Sequence, residues 1–100
     1  MTEMQKLLTV IVNKAVRPVR VPRSAVRNVE VAPYGDGIQV RISTDGFLMP
    51  SSKKGQQLVS YKNRVISSLR RHDLEGDDLG TLTDWKNGAV HAIFVDSVKA

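Results

Sequence analysis

One hundred residues suffice for a single domain with one modest core and leave no room for two, so residues 1–100 are read as one unit. Hydrophobic residues make up 41% of the chain, which argues against disorder, and the absence of cysteine excludes a disulfide framework and a thiolate metal site. The net charge of +5 is unevenly spread: residues 1–72 hold thirteen Lys and Arg against four acids, a balance of +9, while residues 73–100 hold two Lys against six acids, a balance of −4.

Such polarity predicts a cationic side and an anionic side on the folded molecule. The apolar run at residues 7–12 is too short for a signal peptide, and a membrane span needs about 20 apolar residues, so a cytoplasmic protein without membrane contact is expected.

Residues 5–13 read as a strand, with Leu8, Val10 and Val12 on one face and Leu7, Thr9 and Ile11 on the other. The next segment, Val16-Arg17-Pro18-Val19-Arg20-Val21-Pro22-Arg23, is the most distinctive of the chain. Pro18 and Pro22 push Arg17 and Val21 toward extended or polyproline backbone. The three-residue repeat of that conformation would line up Arg17, Arg20 and Arg23 about 9 Å apart, with Arg27 extending the edge. Guanidinium forks match phosphate oxygens, so this edge suits a nucleic-acid backbone. The structural alternative is an edge strand guarded by proline and arginine.

Residues 25–32 and 37–44 read as a hairpin closed by Pro33-Tyr34-Gly35-Asp36-Gly37. Val29, Val31, Ile38, Val40 and Ile42 would face inward, and Asn28, Glu30, Gln39, Arg41 and Ser43 outward. A helix follows Ser51-Ser52 and runs to about His72. Leu58, Val59, Tyr61, Val65, Ile66 and Leu69 share its apolar arc, with Lys62 inside that arc and its ammonium expected to reach out to water. Lys53 and Lys54 at the helix start suggest an anion site, and Arg64, Arg70 and Arg71 add a cationic stripe. No Walker loop is present.

Residues 73–78 place Asp73, Glu75 and Asp77, with Asp84, at calcium-loop positions one, three, five and twelve. Asp78 stands where that loop requires glycine, so no metal site is expected. Asn87-Gly88 reads as a two-residue hairpin turn joining residues 79–86 to 89–98. That register would set His91 opposite Asp84 and place Trp85, Val90 and Phe94 on the other face. No nucleophile can be placed beside His91, so no catalytic residue and no cofactor is expected.

The fold expected is α+β, a mostly antiparallel sheet of about five strands with one helix on a face, in the order β-β-β-α-β-β. The function expected is a small non-enzymatic basic module that binds duplex nucleic acid through phosphates. Its contacts would come from Arg17, Arg20, Arg23, Arg27, Lys53, Lys54, Arg64, Arg70 and Arg71. Tyr34 and Trp85 are the only aromatics expected at the surface, which disfavours base stacking. The alternative is a protein-interaction module, such as a small inhibitor or adaptor of the kind phages encode, docking on an acidic partner. A sheet edge could also pair with a second copy. A metal-dependent nuclease is the least favoured reading.

Overall fold

A computed structural model describes residues 1–84 and 88–96, with the backbone alone described at 82–84 and 88. The order is α1 (Glu3–Val16), β1 (Asn28–Tyr34), β2 (Gly37–Thr44), α2 (Lys53–Arg71), β3 (Asp77–Asp84) and β4 (Gly88–Val95). The four strands form one antiparallel sheet in the order β1-β2-β4-β3. Each half of the chain is thus a helix followed by a hairpin, and the second strands of the two hairpins pair at the centre. The architecture is α+β, with four strands and two helices among the described residues in place of the expected five and one.

The strand expected at residues 5–13 is the middle of α1. Its buried positions, Gln5, Leu8, Val12, Ala15 and Val16, follow a helical period. The apolar run is ambiguous because the other helix face is apolar as well: Met4, Leu7 and Val10 are each about half exposed. What settles the conformation is a capping box. Thr2 Oγ1 accepts from Gln5 N at 3.1 Å and Gln5 Oε1 accepts from Thr2 N at 2.9 Å. The same Gln5 side chain donates through Nε2 to the carbonyls of Gly35 and Gly37, tying α1 to the β1–β2 turn.

The core lies between the two helices and one sheet face. Val29, Val31, Ile38, Val40 and Ile42 supply the first hairpin's share, as their alternation predicts, and Ile93 and Val95 supply that of β4. Gln39 is on the opposite face yet only 5% exposed, so that face is less open than expected. Residues 25–27 precede β1: Ala25 N and Val26 N both donate to Pro22 O in a turn, and both side chains are buried.

Ser52 caps α2, accepting from Gly55 N at 3.0 Å. The helix buries Leu58, Tyr61, Val65 and Leu69, but Val59, expected in that arc, is 49% exposed. The helix ends in a Schellman arrangement, with Leu74 N on Leu69 O, Asp73 N on Arg70 O and Asp73 at φ 59°. No helix among the described residues is long and apolar enough to cross a membrane.

The second hairpin pairs in a different register from the one expected. Its ladder closes at Asp84↔Gly88 and sets His91 opposite Thr81, not Asp84. Residues 85–87, with Trp85 and the first position of the Asn-Gly turn, lie outside the described residues.

Candidate cationic binding surface

The segment between α1 and β1 alternates anchors with charges. Pro18 ends α1 after a last turn closed by Arg17 N on Asn13 O. Val19 and Val21 then pack against the core and Ala25 and Val26 are buried, while Arg17, Arg20, Arg23 and Arg27 are exposed. The segment is not the single polyproline edge expected. Arg17 has helical backbone, φ −55° and ψ −43°, and Pro22 opens the turn that carries Arg23. The arginines stay exposed because the apolar residues between them are held against the core.

The segment lies along α2, and four depressions open between and beside the two. The largest, about 510 Å³, has Arg20 on one wall and Arg64, Ser67 and Arg71 on the other. Arg64 and Ser67 also line a neighbouring depression of about 450 Å³ that continues along α2 to Asn63 and Gln56. In the other direction Val19 is shared with a recess of about 280 Å³ that holds Arg17 and Arg23. Arg23 is shared in turn with a hollow of about 200 Å³ bearing Arg27, Lys54 and Asp45. Arg17, Arg20, Arg23, Arg27, Lys54, Arg64 and Arg71 therefore line a chain of adjoining depressions.

Lys53 and Arg70 are exposed on α2 and line none of the four. The α2 N-terminus is partly satisfied by Ser52, whose hydroxyl also donates to Met49 O at 2.7 Å. Arg27 is paired with Asp45 at 3.3 Å, both side chains more than half exposed. Among the described residues Arg17, Arg20, Arg23, Arg64 and Arg71 form no ion pair.

In the sequence Tyr61 reads only as a core residue. It is fully buried, and its hydroxyl has no hydrogen-bond partner among the described residues. It lines the recess of Arg17 and Arg23, and the Arg64 guanidinium lies 5.9 Å from its ring centroid. Burial pushes its hydroxyl above the usual phenol range, against the pull of Arg64 and Arg23, so it is a donor at neutral pH. The available signal is a tyrosine on the apolar arc of a helix, whose hydroxyl needs a partner once buried.

A second polar cluster sits between α2 and the other end of the sheet. Lys62 does not reach out to water: it is 9% exposed and its Nζ binds Asp78 Oδ2 at 2.8 Å. Residues 73–78 are not one loop, since Asp77 and Asp78 open β3 and Asp78 Oδ1 accepts from Gly80 N at 2.8 Å. Burial raises the Asp78 carboxyl, but the Lys62 and Gly80 hydrogen bonds and the Lys62 charge outweigh it and hold it below the ordinary value. His91 bonds Thr81 Oγ1 through Nδ1 at 3.0 Å, and its buried Nε2 has no partner among the described residues. Burial, then the Lys62 charge, lowers its imidazole below the ordinary range, with Asp78 opposing.

Of the aromatics expected at the surface, Tyr34 is exposed and Trp85 lies outside the described residues, while Phe47 is exposed as well. Tyr34 is 49% exposed and packs edge-to-face on Phe94, and Phe47 is 67% exposed. Neither Tyr34 nor Phe47 lines the four cationic depressions. In comparison with known proteins, the chain matches no family model and no curated protein is significantly similar to it.

Proposed function

We propose that this protein is a non-enzymatic module that binds duplex nucleic acid through the phosphate backbone. The observation that carries the reading is the chain of adjoining depressions lined by seven cationic side chains, in which Asp45 is the only carboxylate among the described lining residues. Guanidinium groups meet phosphate oxygens in pairs and give up their water more readily than ammonium groups, so an arginine-rich surface suits phosphates. Among the described residues the exposed aromatics lie elsewhere, which favours backbone contact over base stacking.

Fluorescence anisotropy on duplex DNA, single strands and RNA at several salt concentrations tests the reading. Each phosphate contact contributes about 0.9 to the slope of log affinity against log salt, so roughly five contacts give a slope of about −4.5 on duplex. Titrations that stay flat at low salt would remove the proposal and turn the surface over to an acidic protein partner.

A further inference from the structure

At the β1 side of the helix-covered face, a recess of about 280 Å³ is walled by four parts of the chain: the end of α1, the connecting segment, the start of β1 and the middle of α2. Its polar lining is Asn13, Arg17, Arg23, Asn28 and Tyr61, its other walls are valines, and no carboxylate lines it among the described residues. Arg17 and Arg23 are free of ion pairs among the described residues. Tyr61 lines the recess too, and its fully buried hydroxyl has no hydrogen-bond partner among the described residues. A buried hydroxyl left unpaired is destabilising, and a ligand oxygen in the adjoining recess would remove that cost.

We infer that this recess binds a phosphomonoester: Arg17 and Arg23 hold the phosphoryl group, Tyr61 and the two asparagine amides donate to its remaining oxygens, and the organic substituent lies on the valine wall. A monoester suits the place better than a backbone phosphodiester. It carries about −1.5 to −2 charge at neutral pH and has chain on one side only. A volume just under the roughly 300–1,000 Å³ of most small-molecule sites calls for a compact substituent, one sugar-sized unit. Such a group could be the phosphorylated end of a nucleic-acid strand or a free sugar or nucleoside phosphate. The site shares Arg17 and Arg23 with the proposed duplex surface but is distinguished by Tyr61, which is not one of the exposed cations.

The test is an NMR titration of the isotope-labelled full chain with inorganic phosphate, uridine 5′-monophosphate and uridine. Saturable shifts at the Asn13, Arg17, Arg23 and Asn28 amides are expected with both phosphates and not with uridine. Tyr61→Phe keeps the ring in the core and should weaken binding roughly 10- to 100-fold with no loss of thermal stability, the range expected for a hydrogen bond to a charged group. Should that variant fold poorly, Asn28→Asp, which adds a repelling charge at the exposed rim, should abolish the phosphate shifts. Duplexes with 5′-phosphate and 5′-hydroxyl ends separate the sources: tighter binding of the phosphorylated duplex assigns the strand end, and equal binding with the nucleotide shifts retained assigns a free small molecule. Tyr61→Phe should leave salt-dependent binding of the hydroxyl-ended duplex unchanged, so the backbone proposal and this one fail separately. Phosphate shifts that never saturate, or a well-folded Tyr61→Phe or Asn28→Asp protein with wild-type phosphate affinity, would overturn the inference.

Discussion

Lys62, Asp78, Thr81 and His91 show how single residues couple the molecule to pH. The His91 imidazole is depressed below 6.5 mainly by burial and by the nearby Lys62 ammonium. In the unfolded chain it takes a proton near pH 6.5, while the folded chain resists protonation until a lower pH. Stability linked to His91 is therefore complete above pH 6.5 and drains away as the pH falls from there toward the folded value. Asp78 acts in the same direction lower down: its carboxyl is held below 3.8, so its contribution is present above that value and is lost as acid protonates it. Urea denaturation at pH 7.5 and pH 5.5 should show lower stability at the acid value, and His91→Gln should flatten the difference. An equal acid loss in that variant would place the sensitivity elsewhere.

Among the elements, α2 has both its termini set by special residues. A Cβ at Gly55 would collide with the Met49 carbonyl oxygen, and a backbone atom cannot swing aside. Gly55→Ala should therefore destabilise by about 1–3 kcal/mol despite the better helix propensity of alanine. At the other end Asp73 holds a left-handed conformation at φ 59°, which glycine adopts without strain, and its carboxylate faces the negative end of the helix dipole. Asp73→Gly should stabilise by about 1 kcal/mol. Chemical denaturation of the two variants checks the opposite signs, and the same sign in both would contradict this account of the termini.

The elements also divide by how much of them is legible in the sequence. The β1–β2 hairpin and α2 follow from alternation and from a helical arc, because each has one face in the core and one outside. The α1 run has apolar residues on both strand faces, and Met4, Leu7 and Val10 remain half exposed on the helix, so periodicity alone does not decide it. Thr2 and Gln5, three apart, carry the deciding signal. The expected β3–β4 register differs from the observed one because the Asn-Gly pair suggests a two-residue turn, whereas the ladder closes at Asp84↔Gly88. With the observed register the Asp84–His91 pairing disappears: Thr81 bonds His91 across the ladder instead, and the Lys62 ammonium from α2, which disfavours its protonation, is visible only in the tertiary fold.

For the whole molecule, the uneven charge of the chain became a spatial arrangement through the anchoring of one segment. Val19, Val21, Ala25 and Val26 bind residues 17–27 to the core, and α2 runs beside them with Arg64 and Arg71 lining the same depression as Arg20. The arginine pattern in the sequence singles out residues 17–27 but does not tell which of the α2 cations line the same depressions: Lys54, Arg64 and Arg71 do, whereas Lys53 and Arg70 line none of them. That division supplies its own control.

The most direct measurement compares the salt dependence of duplex binding in the triple variant Arg20→Ala, Arg64→Ala, Arg71→Ala with that in the double variant Lys53→Ala, Arg70→Ala. The triple variant should lose about 2.7 units of slope, while the double variant keeps the wild-type slope. Equal losses per charge in the two proteins would mean that net charge alone governs binding and that the arginine-lined surface between residues 17–27 and α2 has no special part in it.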